Sequence, residues 1–596
     1  MKRQLCLILV CCLLLPSALA ESSTATVGTV TEMSGCFYSD LWGSNAADMD
    51  VRALVSGYAT IALAQDGSRA VDATVVAAME TALNPNGDQV YRFLLKPGLR
   101  WSNGEAITAR DYVFTVLLQA CPELAALGAS GAGYSQLIGY EGFHANSSTP
   151  FAGVRLISEL SFSLTVRAER LPCYAALSLV RVEPTPISAI APEAVVTDDG
   201  AGAYLHGTFT AEGLAGTLLG ESGYLRTVPV SCGPYMLLRY DAGTHTAELQ
   251  KNPYYQGDCE GRVAQIDRLT FRSVKNAEIP ALLQSNEIDL ATRVADGAAI
   301  TQGLALEATG GLRSTSYLRP GLVFLACACE DPTTAQLSVR KALALCLDTD
   351  ELCASALNGF AQPVYGYYGL GQWMPAQAGE QLSALNLYGC DPMGAKALLI
   401  TDGWIYNRDA QPFSEGVDEM RYKMQDGRMI PLSLRWAKIA ESSATANVEK
   451  QLTAAAQTLG AGLVITEMSF SQALAQYYRQ TARTCNLFLL GTNFAGDFDP
   501  CEVFETDSAA QGVRNATGLL DTELARLAQE LRAAPAGDQA AYLERWLAFQ
   551  RRFSEVLPMI PLYSNVYYDF CGPRLTGYHA GGQGGWSAAI LNASVQ

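Results

Sequence analysis

Two carboxylates lie close together in the segment GTNFAGDFDP, residues 491–500. The preceding run NLFLLG is rich in strand-forming residues, so Asp497 and Asp499 follow the carboxyl end of a predicted strand. Ligands of open α/β sheets collect outside such ends. The two aspartates could instead only shape an Asx turn, which suits Asp499 because Pro500 follows it. From these residues alone, both interpretations stay open.

Common catalytic motifs are absent from the chain. It has no G-x-S-x-G nucleophile elbow, no H-E-x-x-H zinc motif and no G-x-x-x-x-G-K-S/T phosphate loop. Its four histidines are far apart in sequence, at His144, His206, His245 and His579. That spacing gives little support to a positioned general base or to a zinc or nickel site. We therefore expect no enzyme activity, no cofactor and no metal.

The cysteines are numerous but scattered. Three of the 16 lie within the first 20 residues, and the remaining 13 form no C-x-x-C pair. The closest two are Cys327 and Cys329. Because 13 is odd, at least one thiol has no partner within the chain. We expect buried structural thiols together with a few disulfides.

The first 20 residues have the pattern of a secretory signal peptide. Lys2 and Arg3 precede an apolar run of 11 residues at 5–15, which is too short to span a bilayer. Ala18-Leu19-Ala20 then fits a small-residue cleavage site, which predicts Glu21 as the mature N-terminus. We therefore expect an exported protein without a membrane span.

Length and charge set further limits. A chain of 596 residues is too long for one hydrophobic core, so two or three domains are expected. The formal net charge of −18 argues against nucleic acid and anionic membranes as partners, since both repel a polyanion.

Local patterns alternate between strands and helices. VYRFLLK at 90–96 reads as a strand, and Asn103-Gly104 as a turn. Thr108 and Asp111 have the spacing of a capping box that opens a helix. A long helical pattern at 519–555 is broken near Pro535. This alternation favours an α/β fold.

One segment carries a family resemblance. YRFLLKPGLRWSNGEAITARDYVFTV at 91–116 resembles a signature of the extracytoplasmic solute-binding proteins of peptide and nickel ABC transporters, the oligopeptide- and dipeptide-binding type. Five further segments resemble that family in its own order, at 231–255, 266–291, 339–352, 390–404 and 557–563. The chain departs from the family pattern at Cys232, where a threonine is usual in the run before Gly-Pro, and at Asn286, where glycine is usual.

The resemblance implies an α/β fold of the periplasmic-binding-protein type II, with two lobes joined by a hinge and an extra domain inserted in lobe one. Mapping the motifs predicts lobe one at 21–315, with the insertion at about 60–180, and lobe two at 316–562. Residues 563–596 then return to lobe one. The crossings are expected near Pro320 and Pro561.

The resemblance also implies ligand contacts. In peptide-binding members, an aspartate in a comparable loop pairs with the α-amine of the peptide, and Asp497 matches that position. Trp101 is expected to be a packing residue rather than a ligand contact. The other candidate contacts are Phe37 in the N-terminal loop, Cys232 and Gly233 before Pro234, Tyr365 and Tyr367 after the second-lobe helix, and Asn493 in the Asp497 loop.

The implied function is capture of peptides in an interlobe cleft and delivery to an ABC permease with its ATPase subunits, by a protein that is itself a monomer. The alternatives are a non-peptide solute such as a nickel chelate or an oligosaccharide, or a sensor of peptides; a secreted hydrolase is disfavoured by the missing motifs. Surface members of the family often carry a cysteine directly after the cleavage site, whereas Glu21 follows Ala20 here. We expect a periplasmic or extracellular protein without a lipid anchor.

Mass spectrometry of the mature N-terminus checks the export prediction. We expect an unmodified chain that begins at Glu21, because Ala18 and Ala20 supply the small residues before the cut. A diacylated cysteine at the N-terminus would contradict it.

Overall fold

The structure is a computed structural model of the 596-residue chain. It describes residues 22–39, 41–42, 45–63, 68–129, 133–439, 443–494, 497–507, 514–581 and 585–596. The predicted signal peptide at 1–20 lies outside the described residues.

The strands are β1 (Thr24–Thr29), β2 (Ile61–Leu63), β3 (Arg69–Val71), β4 (Val76–Leu83), β5 (Gln89–Leu95), β6 (Val154–Ser158), β7 (Ser161–Val166), β8 (Ala194–Asp198), β9 (Ala203–Gly207), β10 (Tyr235–Asp241), β11 (Thr246–Lys251), β12 (Arg268–Ser273), β13 (Leu290–Val294), β14 (Arg313–Leu318), β15 (Gly321–Cys327), β16 (Ala361–Pro363), β17 (Tyr422–Gln425), β18 (Arg428–Pro431), β19 (Ser433–Lys438), β20 (Gly462–Glu467), β21 (Leu487–Asn493), β22 (Met559–Cys571), β23 (Leu575–Thr576) and β24 (Ser594–Val595).

The α-helices are α1 (Ala46–Val55), α2 (Ala109–Ala120), α3 (Pro122–Ala126), α4 (Tyr140–Ala145), α5 (Ile187–Ile190), α6 (Ala211–Leu214), α7 (Tyr224–Thr227), α8 (Ile279–Gln284), α9 (Gly297–Ala308), α10 (Leu337–Cys346), α11 (Thr349–Glu351), α12 (Trp373–Ala378), α13 (Pro392–Thr401), α14 (Ser443–Leu459), α15 (Phe470–Tyr477), α16 (Thr522–Arg532), α17 (Gln539–Val556) and α18 (Gly585–Ala589).

Twelve strands form one mixed sheet. Its order is β10-β11-β12-β1-β13-β22-β15-β21-β19-β20, and β14 and β16 also pair with β22. Strand β22 lies in the middle of this order and pairs with strands on both sides of it. Its residues 566–571 pair with β14, and its residues 559–563 pair with β15. The chain therefore crosses between the two halves of the sheet at 318–321 and again at 563–566.

Two of the buried hydrophobic clusters lie on opposite sides of this crossing. One contains Val27, Phe93 and Phe271 among its fully buried residues, and the other contains Leu325 and Trp436. We call the part before Arg319 and after Asn565 lobe one, and the part between those residues lobe two. The limits predicted from the sequence, 316–562 for lobe two, stay a prediction.

A four-stranded antiparallel sheet, β4-β5-β7-β6, lies within the range predicted for the insertion. Helix α2 follows β5 and contacts β6. The predicted capping box is confirmed: the backbone N–H of Thr108 donates to Asp111 Oδ2 at 2.8 Å, and both halves of the box are formed. Trp101 is buried, and it also lines a cavity of lobe one, so its role as a packing residue stays a prediction. The break predicted near Pro535 is also confirmed, since α16 ends at Arg532 and α17 begins at Gln539.

The prediction of disulfides is wrong. All 13 cysteines beyond residue 20 are described by the structure, and all are free thiols. Ten of them are buried, on separate strands, helices and loops, where each fills space as a small apolar residue. Even Cys327 and Cys329 are not bonded; the thiol of Cys329 instead donates to the carbonyl oxygen of Cys327 at 3.6 Å.

The described residues contain neither a membrane-spanning helix nor a group of metal-ligating side chains. No helix among them is long and apolar enough to cross a membrane. In the same residues, no three His, Cys, Asp or Glu side chains are grouped as a metal ion would require.

Alkylation tests the thiol assignment. We expect all 13 cysteines of the chain from Glu21 onward to react with iodoacetamide in denaturant without a reductant, because none is bonded. In the native protein, Cys259 and Cys390 should react first, since they are the two exposed ones. Intact-mass spectrometry counts the labels, and labels that appear only after reduction would contradict the assignment.

Candidate ligand-binding site between the lobes

Arg319 ties the two crossing segments together. Its Nε donates to Asn493 Oδ1 at 2.7 Å, and its Nη1 donates to Asn565 Oδ1 at 3.1 Å. Its Nη2 reaches the carbonyl oxygen of Thr492 at 3.2 Å. The predicted ligand contact Asn493 therefore lies at the end of β21, exposed but held by Arg319 where the chain passes between the lobes.

Asp497 lies at a contact between the lobes. Its carboxylate binds the guanidinium of Arg69 in lobe one, with Nε 3.3 Å from each carboxylate oxygen and Nη2 3.2 Å from Oδ2. The hydroxyl of Ser178, also in lobe one, donates to Oδ2. The side chains of Arg69 and Asp497 are 17% and 24% exposed, so this ion pair is partly shielded from water. The predicted site residue Asp497 is thus part of the surface where the two lobes meet.

A second interlobe contact lies close by. The backbone N–H of Tyr174 donates to the carbonyl oxygen of Arg532 at 3.0 Å, and the ring of Tyr174 packs 4.1 Å, centroid to centroid, from that of Tyr542. Arg532 in turn binds Asp499 through Nε at 2.6 Å. Asp499 also accepts the backbone N–H of Cys501 at 3.0 Å, which is the Asx turn that the sequence suggested.

Lobe one has a cavity of about 630 Å³ that reaches Ser178, the serine that binds Asp497. Three tyrosines line it, together with the ion pair of Arg181 and Glu183. The lining tyrosines are Tyr38, Tyr134 and Tyr224, and the predicted contact Cys232 also lines the cavity. This volume is in the range that holds a small organic ligand.

The polar groups of the cavity are set for hydrogen bonding. Burial raises the pKa of Tyr38 to about 12 and raises the pKa of Tyr134 and of Tyr224 as well, so all three hydroxyls stay protonated at neutral pH. Glu183 beside it raises the pKa of Arg181, which keeps that guanidinium charged. Tyr134 and Tyr224 donate their hydroxyl protons to the carbonyl oxygens of Arg181 and Val230, and the Tyr38 hydroxyl shares a hydrogen bond with Thr185. The cavity therefore offers hydroxyl oxygens as acceptors, together with both signs of charge, to a polar ligand.

Phe37 and Gly233 are placed for packing. Phe37 is fully buried and meets the ring of Tyr240 edge-on, with centroids 4.9 Å apart. The loop at Gly233 runs against the end of α1, where the Gly233 N–H donates to the carbonyl oxygen of Val55 at 3.0 Å. A Cβ at this position would lie 2.4 Å from the carbonyl oxygen of Leu54, so only glycine fits there.

The two tyrosines predicted as ligand contacts lie inside lobe two. Tyr367 is buried, with its ring 5.0 Å from that of Phe494 and 5.9 Å from that of Phe498, centroid to centroid. It supports the Asp497 loop from the core side. Tyr365 lines a separate cavity of about 30 Å³ beside α10. Tyr365 and Tyr367 therefore do not share a surface with the other predicted contacts Asp497 and Cys232.

Sequence reasoning missed the lobe-one partners of the Asp497 loop, which are Arg69, Tyr174 and Ser178. Arg69 is 428 residues from Asp497 along the chain, and Ser178 is 319 residues away. Neither lies in a segment that carried the family resemblance, so no local pattern marked them.

The model of the family "Bacterial extracellular solute-binding proteins, family 5 Middle" matches residues 75–513, which is well over half of the chain. The chain belongs to family 5 of the bacterial extracellular solute-binding proteins. None of the curated proteins matches this family 5 chain in sequence. The match of the family model over residues 75–513 confirms the resemblance seen in the sequence motifs.

Solved structures agree on the fold. Lactococcal OppA complexed with an endogenous peptide in the closed conformation gives a TM-score of 0.72 at 16% identity, covering 96% of this chain and 100% of that one. AppA from Bacillus subtilis in complex with a nonapeptide gives 0.68 at 16% identity, covering 96% and 99%. NikZ from Campylobacter jejuni in complex with Ni(L-His) gives 0.67 at 16% identity, also covering 96% and 99%. The α/β solute-binding-protein fold predicted for the family 5 chain is confirmed.

Gly233→Ala tests the close approach beside the cavity. We expect a loss of about 2 kcal/mol in the free energy of unfolding, because the added methyl group overlaps backbone oxygens that cannot move aside easily. Gly216→Ala is the matched control, since a Cβ there meets nothing within 4 Å. Urea unfolding measures both, and equal stabilities of the two variants would contradict the packing described.

Proposed function

We propose that the protein captures peptides between its lobes and delivers them to an ABC permease driven by separate ATPase subunits. The observation that carries the proposal is the 630 Å³ cavity of lobe one, which reaches Ser178 at the contact with Asp497. A ligand in that cavity would touch lobe one along its length and lobe two at Asp497. Such a ligand would favour closure, because it binds both lobes only when they meet.

The lining supports a peptide. The tyrosine hydroxyl oxygens can accept from main-chain N–H groups, Arg181 can donate to main-chain carbonyl groups, and Asp497, which Ser178 of the lining contacts, can accept from an α-ammonium group. A partly shielded carboxylate binds an ammonium more strongly than one on the open surface. Two of the three similar structures, OppA and AppA, hold peptides. In this proposal the protein acts as an exported monomer, and nucleic acid is not a partner.

A smaller charged solute is the second candidate. Arg181 and Glu183 place both signs of charge within the cavity, which suits a compact ligand with a carboxylate and an amine. NikZ, which shares the fold, was solved with Ni(L-His). The fold itself does not choose between these ligands.

Native mass spectrometry of the purified mature protein, followed by denaturation, identifies what it carries. We expect a series of short peptides. Asp497→Asn should lose them, because it removes the carboxylate that would pair with their α-amine. Asp426→Asn is the matched control, since it removes the same charge from the exposed turn between β17 and β18.

Two results would contradict the peptide proposal. A single non-peptide mass would leave the family assignment in place and favour the second candidate. Retention of peptides by Asp497→Asn, at the level of the control variant, would show that this carboxylate does not hold the ligand.

A further inference from the structure

The carboxylate of Asp497 is bound from the opposite lobe by a planar guanidinium. Two nitrogens of Arg69 lie within 3.3 Å of its oxygens, and Oδ2 also accepts the hydroxyl of Ser178. Oδ2 therefore has two lobe-one partners, and Oδ1 has one. An ammonium group that approached Asp497 would have to share or replace the same oxygens.

A cation that shared these oxygens would meet like charge. Arg69 lies directly against the carboxylate, and a second guanidinium is near: the charges of Glu183 and, to a smaller extent, Asp497 raise the pKa of Arg181. An ammonium placed beside Arg69 would be repelled by it, in a place where water screens the repulsion only in part. For such an ammonium group, displacing Arg69 from the Asp497 carboxylate therefore costs less free energy than binding the carboxylate beside Arg69.

We propose that Arg69 is a specificity-determining residue of the cleft, which competes with the cationic end of a ligand for Asp497. This proposal rests on the proposed function, and it names the group that an α-amine must displace to reach Asp497. A peptide with a free α-amine must break the pair of Arg69 and Asp497, whereas a peptide with a blocked N-terminus leaves the pair in place. A free α-amine thus pairs with Asp497 only by taking the place of Arg69, and this competition weakens its binding.

The geometry lets Arg69 leave without loss of the closed arrangement. Tyr174 makes its own contacts with lobe two, through the carbonyl oxygen of Arg532 and the ring of Tyr542. These contacts use neither Arg69 nor Asp497. The variant Arg69→Ala is therefore expected to fold and to close, with the competitor for Asp497 removed.

Isothermal titration calorimetry with pentaalanine and N-acetyl-pentaalanine tests the competition. In the unmodified protein, the free peptide should bind only slightly more tightly than the acetylated one, because the ion pair that it gains with Asp497 is offset by the one that Arg69 loses. Arg69→Ala should bind the free peptide roughly tenfold tighter, the size of a typical coupling between contacting charges, and leave the acetylated peptide unchanged. Arg170→Ala, which removes an exposed arginine of the same lobe, should change neither affinity.

The opposite result overturns the proposal. If Arg69→Ala binds the free peptide no tighter or more weakly, Arg69 positions Asp497 for the ligand instead of competing with it. If neither peptide binds any variant, the proposed peptide function fails, and the pair itself is then tested on protein stripped of ligand by unfolding and refolding.

That second measurement is small-angle X-ray scattering of Arg69→Asp, Asp497→Arg and the double exchange. Each single variant sets two like charges against each other across the lobes, so its radius of gyration should increase. The double exchange restores opposite charges and should return the radius to that of the unmodified protein. Three radii equal to that of the unmodified protein, or a double variant as expanded as the single ones, would overturn the role of Arg69 whatever the ligand is.

Discussion

Strand β22 is the constraint on which the other features depend. Its 13 residues pair with β14 at one end and with β15 at the other, so one strand belongs to the sheets of both lobes. The ladder hydrogen bonds on either side hold it, and the change of partner falls within 563–566. Arg319 adds side-chain bonds to Asn493 and Asn565 on the two sides of this change. Lobe movements in such folds are hinge motions about a few residues at element ends, which these segments supply.

The surfaces that meet away from the crossing are of a different kind from the cores. Each lobe is held by buried aliphatic and aromatic side chains, whereas the described contacts near Asp497 are an ion pair, hydrogen bonds and the ring of Tyr174. Polar contacts of this type can be exchanged for contacts with a ligand, because each group regains a partner when the lobes separate. In the proposed function, closure and ligand binding therefore draw on the same polar groups, Asp497 among them.

Local structure was predictable from the sequence, and long-range neighbours were not. The capping box of Thr108 and Asp111 and the helix break before Asp538 depend on residues a few positions apart, so their patterns are visible in the chain. Asp497 could be selected because it follows a strand end. Its partner Arg69 could not, because a separation of 428 residues leaves no periodic signal between them.

The aromatic and cysteine predictions show a second limit. Tyr367 was expected to meet a ligand; in the structure it lies in a buried cluster with Phe494 and Phe498, and its contact with a ligand stays a prediction. The cysteines were expected to include disulfides, but the fold uses them as small core residues on separate elements. The residue type predicts that such side chains are buried, whereas the tertiary structure determines which residues they pack against.

A crystal structure of the protein with its co-purified ligand is the most direct test of ligand binding between the lobes. We expect ligand density in the lobe-one cavity beside Tyr38 and Cys232, with its end at the carboxylate of Asp497 and both lobes in contact with it. Density confined to another cavity, such as the one beside Arg421 and Phe413 in lobe two, would contradict the interlobe site.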